Sequence, residues 1–145
     1  MSGRAEAVSG VMREARLAGA RRVVDLGVHV SFHSSLMAGA EAEFAEALSR
    51  TAFRAPEIPV LSATTASPVT DAAEAAAVLR RQLSGRVRWT DTVQRLTAAG
   101  VDRFVEVGPG RVLGGLCRRI APGARVRTTD DARRLDQALG AVAAA

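Results

Sequence analysis

At 145 residues, 48% of them apolar, the chain has the length of one domain and enough hydrophobic mass for a buried core, which excludes wholesale disorder. Its apolar runs are short and broken by Arg, Asp or Gly, so none approaches the roughly 20 residues of a membrane helix. The net charge of +5 rests on arginine alone, because the chain has no lysine. A positive balance suits an acidic partner such as nucleic acid, a membrane surface or an acidic protein. The arginines are spread along the whole chain, however, and with 3% aromatic residues there is little to stack on bases, so a nucleic-acid reading rests on charge alone. Met1 to Glu6 hold no apolar signal-peptide core, and the lone Cys117 excludes an internal disulfide; both point to a cytoplasmic protein.

In chain order, Val8, Val11, Met12 and Ala15 fall at helical spacing within 5–18, with Gly19 as the stop. Residues 22–28 read as a strand. Ser34 or Ser35 caps a helix running to about Arg50, with Met37, Ala40, Phe44 and Leu48 on one face and Glu41, Glu43 and Glu46 elsewhere. Residues 58–61 read as a short strand and 67–70 as a loop. Asp71 with Glu74 three positions on resembles a capping box, opening a helix whose Ala72, Ala75, Ala76, Leu79 and Leu83 share a face.

Trp89, Val93 and Leu96 mark a further helix that ends at Gly100. Residues 103–107 read as a buried strand, and Gly108-Pro109-Gly110 as a tight turn into a helix with Leu113, Leu116, Cys117 and Ile120 inward. Residues 125–128 read as one more strand. A last helix, begun at Asp130 or Asp131, carries Leu135, Leu139 and Val142 and frays over 141–145. Helices alternating with short apolar strands predict an α/β architecture with mostly parallel pairing.

The chemistry concentrates at Ser31-Phe32-His33-Ser34-Ser35, where a strand gives way to a helix. An imidazole before a helix N-terminus feels the positive end of the dipole, which favours the neutral ring and suits a base. On the pattern alone the plainer reading is favoured, in which Ser34 and Ser35 cap the helix and His33 fills a polar edge. His29 reads as a surface or structural residue. There is no GxSxG elbow, no CxxC or HExxH metal spacing and no Walker-type phosphate loop. Gly108-Pro109-Gly110 could offer backbone donors to an anion, but a plain strand-to-helix connection is preferred. Cys117 reads as a core residue. Arg80, Arg81, Arg86 and Arg88 form the densest basic cluster, a solvated face with a docking patch as the alternative.

Taken together, four segments are informative: 28–37; 54–60, with Arg54-Ala55-Pro56; Gln82-Leu83 ahead of Val87-Arg88-Trp89; and Phe104-Val105-Glu106-Val107-Gly108-Pro109-Gly110-Arg111-Val112-Leu113. In order and spacing they resemble the C-terminal half of malonyl-CoA:acyl-carrier-protein transacylases. The resemblance runs from about Ala5 to Leu139 and covers about half of the family's usual length. It implies an α/β-hydrolase-like acyltransferase domain in which residues 1–27 end a ferredoxin-like small subdomain and 28–145 return to the large one.

In that family a serine in a GHSxG elbow attacks the malonyl thioester and a histidine takes its proton; the same histidine then activates the phosphopantetheine thiol of an acyl carrier protein. The resemblance places His33 in this role and assigns the backbone carbonyl of Gln82 to holding the other ring nitrogen. It matches Phe32 to a pocket position that accompanies malonyl over branched extender units. It implies no bound cofactor and no metal, with malonyl-CoA and carrier-borne phosphopantetheine as substrates, in fatty-acid or polyketide synthesis.

The nucleophilic serine, the oxyanion-hole donors and the arginine that pairs with the malonyl carboxylate belong to the family's N-terminal half, which this sequence lacks. The chain alone is therefore expected to be inactive, to expose apolar surface and to need a partner carrying the GHSxG serine. His29 and Val30 depart from the usual residues before the histidine, and Ala63 stands where an asparagine often follows the position of Ser62. The alternative from another class is a non-catalytic module that docks an acidic acyl carrier protein through its arginine face.

Overall fold

The structure, a computed structural model, describes residues 1–143. It contains two compact units, the first from Met1 to Arg88 and the second from Trp89 onward.

In the first unit, α1 (Ala5–Leu17) turns Val8, Met12 and Ala15 toward partial cover and leaves Val11 exposed. No residue between 18 and 34 pairs in a sheet, so the strand expected over 22–28 is absent. A strand exists only through a hydrogen-bonded neighbour, and among the described residues none lies beside this stretch. Its Val24, Leu26 and Val28 are accordingly exposed.

Ser34 caps a single 3-10 turn (Ser35–Met37) by accepting the Leu36 N–H, and the chain continues as α2 (Ala38–Ser49). Phe44 and Leu48 are half-buried on α2, whereas Ala40 is exposed. Glu41 is half-buried too, because it accepts the Ser84 hydroxyl.

Strand β1 (Val60–Ser62) pairs antiparallel with β2 (Ser67–Val69), in register Val60 with Val69 and Ser62 with Ser67. The segment expected as a loop is thus a strand. Proline is tolerated at Pro68 because a two-stranded ribbon consists of edges, where the missing N–H can face outward.

Asp71 opens α3 (Ala72–Gln82) by accepting the Glu74 N–H at 2.8 Å. The reciprocal bond of the capping box is shifted by one residue: the Glu74 carboxylate takes the Thr70 N–H and hydroxyl. The most buried residue of α3 is Val78, and Leu79, expected inward, is exposed.

The second unit is built on β3 (Arg103–Glu106) and β4 (Arg125–Thr128), which pair in parallel, Phe104 beside Val126. With one antiparallel and one parallel pair among the described residues, the expectation of mostly parallel pairing is only half met. Helix α4 (Trp89–Ala98) ends before Gly100, whose φ of +90° is the left-handed conformation that a helix C-terminus takes. Val93 from α4 is fully buried with Cys117 and Ala121, and Trp89, Phe104 and Ile120 pack around them.

Gly108 and Gly110 both have positive φ and turn the chain into α5 (Val112–Ile120). Two of the free N–H groups of α5 are met by one side chain: the Glu106 carboxylate accepts from Leu113 at 3.1 Å and Gly114 at 2.7 Å. The inward face of α5 is Gly114 and Cys117, since Leu113 and Leu116 are exposed. Gly114 sits inward because its backbone approaches the sheet closely, and a Cβ there would lie 3.1 Å from Thr128.

The strand expected to be buried at 103–107 leaves Val105 and Val107 exposed, because a two-stranded sheet carries cover on one face only. Helix α6 (Ala132–Ala143) begins at Asp131, which accepts the Arg134 N–H, and buries Ala138 while Leu135, Leu139 and Val142 stay exposed. The end of the expected fraying tail, 144–145, lies outside the described residues. No helix among the described residues is long and apolar enough to cross a membrane.

Candidate functional site

The site forms where the segment before α2 meets the end of α3. A helix leaves its last four carbonyls without partners, and at the end of α3 a single residue, His33, meets the last of these, that of Gln82, together with the carbonyls of Leu83 and Gly85 in the turn that follows. Its backbone N–H donates to the Leu83 carbonyl at 2.9 Å. Its ring Nδ1 lies 3.0 Å from the Gln82 carbonyl and 3.2 Å from the Gly85 carbonyl. His33 makes these bonds with φ at +59°, a left-handed conformation rare for a residue with a side chain and held here by the surrounding bonds.

The partners determine the ring's chemistry. Both are carbonyl oxygens, which can only accept, so Nδ1 carries the proton and donates. In the neutral ring Nε2 then holds the lone pair, and it makes no hydrogen bond among the described residues. His33 is exposed. A tautomer fixed from one side with an open nitrogen on the other is the arrangement a general base requires. The ring's partners sit at the carbonyl end of α3, so the dipole expected from the next helix is not its main surrounding: a single 3-10 turn separates the His33-Ser34 pair from α2.

The two sequence-predicted residues His33 and Gln82 are thus brought together across 49 positions. Phe32 is about half exposed beside them, its carbonyl accepting the Ser2 hydroxyl. Ser34 is occupied as a cap and donates its own hydroxyl to the Ser31 carbonyl at 2.7 Å. Sequence reasoning missed the carbonyls of Leu83 and Gly85. The signal for them was the small pair Ser84-Gly85 directly after a helix end, where the chain closes tightly. The side chains of Arg80, Arg81 and Arg86 flank this turn and are exposed, while Arg88 donates to the Thr65 carbonyl at 3.0 Å.

In the second unit, Cys117 is buried, and that burial, reinforced by the Glu106 carboxylate and opposed by Arg118, pushes its thiol above the ordinary value; it is a core residue, as expected. Asp130 accepts the Thr128 hydroxyl at 2.8 Å, which holds its carboxyl below the usual range; partial burial opposes this, and its own N–H, Arg134 and Arg111 add to it.

No family model matches the chain. Among characterised proteins it is 37% identical over 139 residues to the malonyl CoA-acyl carrier protein transacylase of Salmonella typhimurium, covering 96% of this chain and 45% of that one. Among solved structures it superposes on an acyl-carrier-protein S-malonyltransferase from Bartonella henselae with a TM-score of 0.87 at 34% identity, covering 96% of this chain and 44% of the other. It is also similar to the malonyl-transacylase in a structure described as a type II PKS acyl-carrier protein in complex with its malonyl-transacylase, with a TM-score of 0.88, 36% identity and coverage of 94% and 44%. The chain thus spans less than half the length of the relatives it matches. With its α/β fold and its sequence both matching theirs, the chain belongs to the malonyl CoA-acyl carrier protein transacylase family, whose C-terminal part it matches.

Proposed function

We propose that this chain supplies the histidine half of a malonyl-transfer site, with His33 as the general base and the Gln82 carbonyl as the group that orients it. The observation that carries the reading is the ring itself: Nδ1 is committed to carbonyl acceptors and Nε2 is open. In this reading residues 1–27 end the small subdomain and 28–145 belong to the large one. Phe32 borders the acyl pocket.

The tautomer dictates the chemistry. A serine hydroxyl from the rest of the family fold gives its proton to Nε2 as its oxygen attacks the thioester carbonyl of malonyl-CoA. The imidazolium, steadied through Nδ1–H by the α3 carbonyls, returns the proton to the departing CoA sulfur, leaving malonyl-serine. The phosphopantetheine thiol of an acyl carrier protein then gives its proton to Nε2 and attacks the ester, and the serine oxygen takes the proton back. Base catalysis of this kind contributes about 10²- to 10⁴-fold. The pathway served is fatty-acid or polyketide synthesis, and the setting is the cytoplasm.

The test is to incubate the chain with malonyl-CoA and phosphopantetheinylated carrier protein and weigh both proteins intact. No adduct from the chain alone, with transfer once the N-terminal part of a family member is supplied, supports the reading. A malonyl adduct formed by the chain alone would overturn it, and Ser35 or Ser34 would then be the nucleophile to examine.

A second reading, a docking module for an acidic carrier protein, is favoured by the exposed Arg80, Arg81 and Arg86 beside the site. It predicts carrier binding that weakens steeply with salt and is lost on charge reversal of these three residues, with no acyl transfer under any condition.

A further inference from the structure

The Gln82 carbonyl is one of two that face the ring, and the second comes from Gly85, a residue whose place in the turn leaves no room for a side chain. The turn after α3 is fixed at both ends. The Gly85 N–H donates back to the Arg81 carbonyl at 2.8 Å, and the Arg88 N–H donates to the Ala63 carbonyl at 2.7 Å. Inside the first of these bonds the Ser84 hydroxyl donates to Glu41 on α2. A Cβ added at Gly85 would lie 2.5 Å from the Arg81 oxygen and 3.3 Å from the Thr64 methyl. The first of these is a backbone atom at the end of a helix, which no rotamer change can move aside. The φ of Gly85 is outside the left-handed region, so the requirement is for space rather than for backbone freedom.

We propose that Gly85 is a positioning residue for His33: its missing side chain lets the 82–85 turn close far enough to present two carbonyls to one Nδ1–H. A lone acceptor lets an imidazole pivot about the bond. Two acceptors, 3.0 and 3.2 Å from the same nitrogen and three residues apart, restrict the ring plane as well as the tautomer. The open Nε2 is thereby aimed as well as left with its lone pair. This deepens the proposed role of His33 and rests on it for its functional meaning, although the geometry is testable without any acyl transfer.

The experiment uses the full chain labelled with ¹⁵N-histidine, comparing wild type, Gly85→Ala and, as control, Gly39→Ala, whose Cβ would meet nothing within 4 Å. At a pH where the ring is neutral, the wild type and Gly39→Ala should give His33 shifts of a single tautomer, protonated at Nδ1. Gly85→Ala should keep the proton on Nδ1 through the Gln82 carbonyl but displace the His33 Nδ1 shift and raise the ring's mobility in ¹⁵N relaxation, with an unchanged helical circular-dichroism spectrum. In the presence of the N-terminal part of a family member, Gly85→Ala should also lower transfer by about 10-fold or more. Should Gly85→Ala fail to fold, the wild type decides: with glycine carbonyls ¹³C-labelled, a through-hydrogen-bond coupling from His33 Nδ1 is expected, and its absence overturns the proposal. Unchanged His33 shifts in a folded Gly85→Ala chain overturn it equally. If wild type shows the fixed tautomer and the coupling but no transfer occurs in any combination, the malonyl-transfer reading fails while the positioning stands.

Discussion

His33 and Gln82 stand 49 positions apart in sequence and 3.0 Å apart in space, an imidazole Nδ1–H against the last carbonyl of α3. The contact solves two problems at once. It satisfies a helix-terminal carbonyl that would otherwise need solvent, and it selects which ring nitrogen is left with the lone pair.

The backbone of His33 enters a left-handed conformation to make this contact, which leads to a stability prediction independent of catalysis. Asparagine tolerates that conformation and β-branched residues do not. His33→Asn is expected to stay within about 1 kcal/mol of wild type, while His33→Val should cost about 2–3 kcal/mol through strain and lost caps. Urea midpoints measure both. Equal midpoints for the two variants would show that the positive φ is not enforced.

Asp130 gives a pH dependence with a definite sign. Its carboxyl is held below its ordinary value of 3.8, first of all by the Thr128 hydroxyl. A depressed carboxylate contributes stability that is complete above the unfolded value and is lost as pH falls through the lower, folded one. Thr128→Val is therefore expected to raise the Asp130 titration midpoint toward 3.8 and to reduce the stability advantage near neutral pH over acid. Carboxyl ¹³C shifts tracked from acid to neutral pH read the midpoint, and an unmoved midpoint would contradict the assignment.

Glu106 is the cap of α5, meeting two of its N–H groups. Glu106→Ala leaves those donors open and is expected to cost about 1–2 kcal/mol. Gly114→Ala should also destabilise, through the contacts its Cβ would make with Glu106 at 3.0 Å and Thr128 at 3.1 Å. Because both act on one cap, the double variant should cost less than the sum. Thermal unfolding of the wild type, both single variants and the double variant tests the coupling, and strict additivity would argue against a shared contact.

The periodic elements were legible in the sequence because their determinants are local. Asp71, Asp131 and Ser34 cap where a helix start was read, and Gly100 ends α4 in the conformation that only glycine adopts freely. What was misread depends on neighbours that a sequence does not display. Val24 and Val28 read as strand, but the tendency of valine to form strands has no effect without a paired neighbour. Leu113 and Leu116 read as core together with Cys117, yet the buried place beside Cys117 is taken by Gly114, because that face demands small side chains. At the site, His33 stood out by residue type and by family resemblance, and Gln82 by resemblance alone. The Gly85 carbonyl was marked only indirectly, by the small Ser84-Gly85 pair after a helix end, since a backbone acceptor itself carries no mark in residue identity.

Large apolar side chains lie in the open in both units, among them Leu26 at 83% exposure and Val107 at 83%. Surface of this kind favours association. Sedimentation velocity on the chain alone should therefore show concentration-dependent self-association, suppressed by the N-terminal part of a family member. A stable monomer across the concentration range would contradict this.

The central claim is that the Nε2 of His33 is the base in malonyl transfer, and it is tested most directly by rate. With the N-terminal part of a family member supplied, malonyl transfer to phosphopantetheinylated carrier protein is measured for wild type and His33→Ala at matched folded fractions. Transfer by the wild type and a loss of about 10²-fold or more in the variant are expected. Transfer at equal rates by both would contradict it.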